Sequence, residues 1–594
     1  MSIFSNVKIA QAASDYSKID LSSDTLMTFD FGQMAVVNVI DNIIGDKIKY
    51  DYRLFGRMAP LVFPTYGEFG QRVISCFVPY YLIADDADSY ITGITYHGGR
   101  RAVGRFFYQK MLDIMFYGPF YNSTGGGSGA TWEFLRLMTE TEINSYQNLL
   151  PQNRPLSVFT VETVNGDIFY YRLTSLGKQI YKLFRSLGYT INRKLVFDPS
   201  SSSVGSQNAN VTLNAYPLLC YLKAYADLIL PTAFYQTSPL LSLLADIKSG
   251  NTNFMDALGY LSLDKMREQI KSTLRVYYDS DYFTTAWQST NSPLSTSSAS
   301  VGSFADSNNI VDMVADSENT RLDLTRSNNT LSQTQLRFLR GFDSFVRRNN
   351  LVGYREFNAV YARFGLKPSE MRSNYTQIID VRNIPVNVGD VTSTADTGDT
   401  VLGSYAGKAF QSGDTSFEYE TKDFGMFLQM TSLYVKPMYF KGTRKHCLRK
   451  NAFDFYQPEF DGVGPAAISR LEVDGSLDDT VFGFTERYND YRFQQSNILG
   501  DFELDPLMYA WHTGRSSFGV QPTAQTDNML VYQTDNLGNS EYDRMFSVDS
   551  SVYPLDHFYQ TWQFKVSALR KIKNINAALD LGVGDIQLDR NGAV

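Results

Sequence analysis

The chain has 594 residues, of which 43% are hydrophobic, 14% aromatic and 20% charged, enough apolar surface to exclude global disorder. A net charge of −8 and a pI near 5.3 exclude a dedicated nucleic-acid binder whose whole surface draws phosphates, while leaving room for local basic patches. Three distant cysteines, Cys76, Cys220 and Cys447, allow neither a disulfide framework nor a C-x-x-C metal site, and a reducing cytoplasm suits them.

The length would allow several domains, yet no linker divides the chain. Residues 1–24 have no apolar core of the signal-peptide kind. The most apolar later stretch, Ala215 to Phe234, is interrupted by Pro217, Lys223, Asp227 and Pro231, which argues against a membrane span. The 39 Tyr and 41 Phe favour strands and large contact surfaces, because they add buried area with few rotatable bonds.

In chain order, Ile48, Tyr50, Tyr52 and Leu54 alternate with Lys49, Asp51 and Arg53, the period of a half-buried strand. Val73 to Val78 is apolar on both faces and reads as a sheet-core strand. The glycines at 125–129 read as a flexible loop. Val161 to Val164, Asn165-Gly166 and Ile168 to Leu173 read as a β-hairpin, since Asn-Gly tolerates the positive φ of a type I′ turn. Pro199 to Asn210 and Ser289 to Thr330 are polar and of low complexity, and loops this long usually carry binding excursions or insertions.

Leu336, Leu339, Phe342 and Phe345 recur at helical spacing, and a second helix over Tyr354 to Phe364 stops at Gly365 and Pro368. Met426, Leu428 and Met430, then Trp562, Phe564 and Val566, supply two more alternating sets. Strands at both ends with loops and helices between them predict one sandwich assembled from distant sequence. Its strands would lie at about 24–175 and 415–570, with insertions over 176–414.

The search for an active site is mostly negative. His97, His446, His512 and His557 stand singly, with no H-E-x-x-H or C-x-x-C neighbour to complete a metal shell. Gly403 to Lys408 resembles a phosphate loop only loosely, being one residue short with Ala409 where Ser or Thr is needed. Carboxylates such as Asp454, Glu459, Asp461, Glu486 and Asp490 could meet at glycosidase distance in a folded sheet, although surface carboxylates are usually solvated or salt-bridged. A carbohydrate-binding or glycan-hydrolysing jelly roll is therefore the rival class, without a motif of its own.

One charge feature stands out. Lys436 to Lys450 contains Lys436, Lys441, Arg444, Lys445, Arg449 and Lys450 with no acidic residue, interleaved with Tyr439 and Phe440. Cations bind phosphate without sequence preference and aromatic faces stack unpaired bases, so the run is a candidate genome-facing patch; a solvated loop or an inter-subunit salt-bridge surface is the other reading. Arg100, Arg101 and Arg105 form a lesser patch.

An ordered series of segments resembles the Microviridae major capsid protein family, particularly its gokushovirus-like branch. Gly45-Asp46, Arg57, Pro60, Pro64, Phe77-Val78-Pro79 and Leu82 come first, with Ile44 where the family usually has Pro and without its following Trp. Ala215, Pro217, Tyr221 and Asp227 follow, then Asp281-Tyr282-Phe283-Thr284 with Trp287-Gln288, and Leu336-Arg337, Arg355 and Phe364-Gly365. The longest likenesses are Phe453 to Phe460 and Val481 to Tyr488 with Tyr491-Arg492. Trp511-His512, Asp543-Arg544, His557-Phe558 and Arg570 complete an order that covers roughly 45–570.

The resemblance implies a mainly β fold, an eight-stranded antiparallel jelly-roll viral capsid fold with long loop and helical insertions. It implies self-assembly into a small icosahedral shell around circular single-stranded DNA, in a virion built in the bacterial host cytoplasm. Scaffolding proteins, a small basic DNA-packaging protein and a pilot protein are the implied partners, with non-specific single-stranded DNA contacts, a host receptor as a further candidate, and no cofactor or catalytic residue. Residues 289–330 are the candidate for the family's surface protrusion.

Overall fold

A computed structural model describes residues 17–85, 104–108, 168–191, 211–235, 238–256, 259–288, 375–392, 405–462, 464–476, 480–515, 540–547 and 556–571, with shorter pieces between them. The first strands are β1 (Ser17–Asp20), β2 (Ser23–Phe29), β3 (Met34–Asn42), β4 (Lys47–Met58) and β5 (Phe69–Pro79). An excursion holds β6 (Arg105–Phe107), β7 (Leu135–Leu137), β8 (Val158–Thr163), β9 (Ile168–Leu173), helix α1 (Ser175–Ser186), β10 (Lys194–Asp198), β11 (Ser203–Gly205), β12 (Thr212–Asn214), α2 (Tyr216–Leu228) and α3 (Pro239–Lys248). The chain then returns through β13 (Gln377–Pro385), β14 (Asn387–Thr392), β15 (Tyr405–Glu420), β16 (Gly425–Val435) and β17 (Met438–Tyr439). It ends with β18 (Pro465–Ser469), β19 (Val481–Glu486), β20 (Gly514–Arg515) and β21 (Phe558–Arg570).

Eight of these strands form two antiparallel sheets, ordered β2–β21–β4–β15 and β3–β16–β5–β13, with β1 and β14 added to the first. Along the chain the strands pass between the sheets in the interleaved order of a jelly roll, two Greek keys folded on each other. The predicted mainly β, antiparallel jelly-roll class therefore holds.

Sequence patterns follow from what covers each face. In β4 and β21 the inward residues Ile48, Tyr50, Tyr52, Leu54, Trp562, Phe564 and Val566 are buried, and the residues between them mostly face outward. The second sheet is covered twice. Val37, Ile40, Val73 and Phe427 meet the first sheet, whereas Cys76, Val78, Met426, Leu428 and Met430 belong to the same core as α1, α2 and α3. A strand covered on both sides loses its alternation, which is why β5 and β16 read as continuous apolar runs. The interrupted apolar stretch after Ala215 is α2, which packs on β5 and β16, with ten of its thirteen residues buried. No described helix is long and apolar enough to cross a membrane.

A polar seam crosses the sandwich. Gln560 of β21 donates to Gln71 of β5 at 2.6 Å and to Gln411 of β15 at 3.2 Å, and its Oε1 accepts the Trp562 indole N–H at 3.1 Å. Gln71 reaches Thr431 at 2.6 Å, and Tyr50 donates to Gln429 at 2.9 Å. Each glutamine is buried and hydrogen-bonded, the condition under which such groups specify a register without destabilising it. At the rim, the first and last segments of the resemblance meet: Asp46 and Arg570 pair at 3.1 Å.

The division of the chain needs correcting. Sandwich strands lie at 23–79, 377–435 and 558–570, so β13 and the first part of β15 fall inside the span read as insertion. β13 escaped notice because it is an edge strand carrying Asp380, Arg382, Asn383 and Pro385, most of them exposed, with no clean alternation. The predicted hairpin strands are β8 and β9, paired Glu162 to Ile168, but they belong to a separate five-stranded sheet with β7, β10 and β11. The described part of the phosphate-loop look-alike, 405–408, lies in β15 and is paired with β14 as a strand. The segments 289–330 and 336–364 lie outside the described residues.

Candidate nucleic-acid interface

The basic run leaves the sandwich at the end of β16. Lys436 pairs with Glu68 at 3.2 Å in full solvent contact, and β17 then runs parallel to β20. Tyr439, read as a possible stacking face, is instead buried: its hydroxyl donates to Asp281 at 2.8 Å, and burial followed by the Asp281 charge pushes its pKa well up. The other Asp281 oxygen accepts from the Phe283 and Thr284 amides at 2.9 and 2.8 Å. The Asp-Tyr-Phe-Thr motif is thus an Asx-type turn locked onto the basic run.

Gly442 fixes the next step. A Cβ there would stand 1.8 Å from the Glu472 carbonyl oxygen, and the neighbouring Thr443 amide donates to Leu471. This close approach brings the cations to their counter-ions. Lys445 pairs with buried Glu472 at 2.8 Å and donates to the Ala467 carbonyl, while Glu472 also accepts the Ser469 amide. Arg449 pairs with Asp490 and lies 4.1 Å over the Tyr491 ring. Arg444 donates to the Gln495 carbonyl and to Asn497.

Arg444, Lys445, His446, Arg449 and Arg492 line a cavity of about 440 Å3 with Tyr282, which stacks on Phe493 at 5.0 Å. The patch read from sequence therefore contains two populations. Lys445 and Arg449 spend their charge on Glu472 and Asp490 and Arg444 donates to neutral oxygens, whereas Lys450 is exposed, as is Arg492, which charge counting over 436–450 could not include. Lys441 is exposed as well. Arg105 is exposed on the separate β6–β12 ribbon, and Arg100 and Arg101 lie outside the described residues.

Stacking surface comes from the motif that follows. Phe453 is 67% exposed, and Phe455, Tyr456 and Tyr491 are each about half exposed. They are nevertheless held: the Tyr491 hydroxyl accepts the Tyr456 amide at 3.0 Å and the Tyr488 hydroxyl accepts the Gln457 amide at 3.1 Å. Tyr488 itself takes φ +66°, the one positive φ outside glycine among the described residues. Rigid, exposed rings beside exposed cations are what a single-stranded nucleic acid requires. The signal was present in the sequence as aromatic crowding at 453–460 directly after the basic run.

Two of the carboxylates considered for catalysis, Asp454 and Asp490, have structural work. Asp454 accepts the Lys450 and Asn451 amides at 2.8 Å each, and these hydrogen bonds hold its pKa below the usual range. Asp490 belongs to Arg449. The fold also gathers Asp30, Asp543 and His557, one ligand atom of each lying within 4.8 Å of the others, a set that could hold a cation. Each already has protein partners: His557 bonds Asp30, and Asp543 accepts the Ser540 amide. A separation of 527 residues hid this group from sequence reasoning.

His512, from the Trp-His motif, anchors the following surface. Its Nδ1 accepts the Gly514 amide at 3.0 Å, which leaves Nε2 to donate to the Phe502 carbonyl at 3.1 Å. Burial, then the Arg544 charge, lowers its pKa, so the ring is held neutral. A depressed histidine stabilises fully above the unfolded value of about 6.5 and loses that contribution as pH falls toward and through the native value. Urea midpoints should therefore decline between pH 7 and 5, and His512→Gln should flatten that decline; an unchanged slope would show that other groups carry it.

A jelly roll with buried polar seams, internally neutralised cations and large exposed aromatic surfaces defines a structural β-sandwich subunit. The model of the capsid protein (F protein) family matches residues 269–578, slightly more than half of the chain. The chain belongs to that family. It is also similar to the capsid protein VP1 of Bdellovibrio phage phiMH2K, 28% identical over 172 residues, covering 28% of this chain and 32% of the relative. Capsid protein VP1 of Chlamydia phage 1 is 25% identical over 248 residues, covering 37% and 39%. The matched stretches thus span about a third to two fifths of these relatives, and the names agree with the Microviridae resemblance.

Proposed function

We propose that the chain is the major subunit of a small icosahedral shell enclosing circular single-stranded DNA, and that the aromatic and cationic surface at 449–456 and 491–492 faces the genome. Exposed Phe453, Phe455, Tyr456 and Tyr491 beside Lys450 and Arg492 carry the second part. The rings stack bases of any identity, and the two cations take phosphates without sequence preference. The role is structural and needs no catalytic group.

An acidic subunit cannot neutralise a genome alone, so a small basic DNA-packaging protein is the natural complement, with scaffolding and pilot proteins as further partners. Assembly would take place in the bacterial cytoplasm, and a host receptor would meet the outer surface, for which residues 289–330 remain our candidate protrusion. Arg100, Arg101 and Arg105 form a second genome contact under the same proposal.

Lys450→Glu with Arg492→Glu tests the genome-facing part, since both residues are exposed. Purified particles should carry less DNA per shell. In binding of single-stranded DNA to the full chain, the slope of log affinity against log salt should fall by about 1.4, or ~0.7 for each lost contact. Unchanged DNA content and an unchanged slope would retire the assignment. Reversal of Lys445 and Arg449 is expected to act differently, unfolding the cavity wall by stranding Glu472 and Asp490.

A further inference from the structure

Residues 499–507 are exposed one after another. They include Leu499, Phe502, Leu504 and Leu507, with Leu504 and Leu507 each 78% exposed, and three acids, Asp501, Glu503 and Asp505. No Lys or Arg occurs between Arg492 and Arg515. The segment is not loose. Gly500, at φ +73°, turns the chain into the short helix Asp501–Leu504. His512 holds the Phe502 carbonyl, the Phe502 ring meets Tyr66 at 6.0 Å, and Tyr66 lies along Trp511. It is a rigid acidic knob tipped with leucine, and apolar surface of that kind seldom stays exposed without a partner.

A surface of complementary character lies on the open face of the first sheet. The pairing register sets Tyr559, Arg57 and Phe410 side by side in one row, and Leu26, Thr561, Phe55 and Ser412 in the next. Leu26 is 82% exposed, and Phe55, Phe410 and Tyr559 are close to half exposed. Arg57 lies 5.5 Å over Phe55, and Lys408 continues the same face beyond Phe410. Arg53 faces Asp414 at 3.6 Å, but both side chains are more than two thirds exposed, so water already competes for the pair and a new anion can take it over. Four strands at ~4.8 Å spacing give a face roughly 14 Å wide, the size of one short helical turn with its side chains.

We propose that the knob at 499–507 of one copy docks on the Leu26, Phe55, Arg57, Phe410 and Tyr559 face of a second copy. This rests on the shell reading. Both surfaces are exposed at once in a single chain, so they do not cover each other, and a second copy brings acids to cations and leucines to rings. Because the two patches differ, the contact is head to tail, and each copy both gives a knob and receives one. Such contacts close into rings or lattices, whereas a self-complementary patch would stop at a dimer. The acids keep the leucines soluble before docking and disfavour contact with acidic parts of a chain of net charge −8, so orientation is selected by charge and held by apolar contact.

Disulfide trapping in the full chain tests the contact. In a Cys447→Ser background, which removes the exposed native thiol, Leu504→Cys and Phe55→Cys are made singly and together. Mild oxidation should give covalent multimers from the double variant and heterodimers from mixed single variants. Equal crosslinking by Leu504→Cys alone would overturn the proposal, because it would show knob against knob.

Charge reversal gives an independent arm. Asp501→Lys with Glu503→Lys, or Arg53→Glu with Arg57→Glu, should each raise the concentration needed for assembly about tenfold, and combining them should restore it to within about threefold. Shells that form normally from both reversed variants, with no crosslink, reject this contact while leaving the shell reading intact. A wild-type chain that yields no shells, together with a double-cysteine variant that yields no crosslinks, rejects both.

Discussion

Gln560→Leu should destabilise the subunit by about 3 to 5 kcal/mol, although glutamine and leucine are similar in volume. Gln560 is buried at the centre of the seam and serves three partners on two sheets. Leucine would leave the Trp562 indole N–H and the facing oxygens of Gln71 and Gln411 without their partner. Each stranded buried polar group costs about 1 to 3 kcal/mol. Gln563→Leu, three residues along the same strand on the exposed face, should change stability by less than ~0.5 kcal/mol. Urea unfolding of both variants decides the matter. A Gln560→Leu loss below about 1 kcal/mol would mean that the seam adds nothing to stability beyond an apolar core. Adding Gln71→Met should cost less than its own single change, because two polar groups that satisfied each other then leave together.

The same strand shows why part of the fold was legible and part was not. β4 and β21 announce themselves because one face meets water, and water enforces polar residues at every second position. β5 and β16 announce themselves through the opposite signal, and α2 could be separated from a membrane span by its internal Pro, Lys and Asp. β13 could not be seen, because an edge strand with a wet face tolerates almost any polar sequence. Gln71, Gln411 and Gln560 look like surface residues in a sequence, and Gln71 and Gln560 are 489 positions apart.

The candidate site divides in the same way. Charge density at 436–450 is a local property and is visible. Its neutralisation is not local: Glu472 and Asp490 arrive from other segments, brought in through a contact at Gly442 that admits no side chain. Tyr439 and Phe455 are both aromatic residues near cations, yet one is sealed under Asp281 and the other points outward. Only the fold distinguishes a structural ring from a stacking platform. The knob at 499–507 escaped for a related reason, since alternating acids and leucines in a short turn resemble any amphipathic surface until exposure is known.

Asp227 carries the second large prediction. It sits in the last turn of α2, where the helix dipole disfavours a carboxylate by about 0.3 to 1 kcal/mol, and it is almost fully buried. Its position is explained by what it holds. Lys223 donates to one oxygen at 2.9 Å, while the other accepts the Thr376 amide at 2.8 Å and the Thr376 hydroxyl at 2.9 Å. Thr376 immediately precedes β13, so this carboxylate fastens the returning chain to the helix that covers the second sheet. Asp227→Ala should cost about 3 to 5 kcal/mol, because it leaves a largely buried ammonium and a buried amide without partners. Asp227→Asn keeps an acceptor for Thr376 and relieves the dipole, so about 1 to 2 kcal/mol is expected. Hydrogen exchange locates the effect: amide protection in β13 should fall in the alanine variant while β4 and β21 keep theirs. Equal losses in both variants, or protection lost evenly across the two sheets, would show that Asp227 acts through α2 itself and not through the strand it is proposed to anchor.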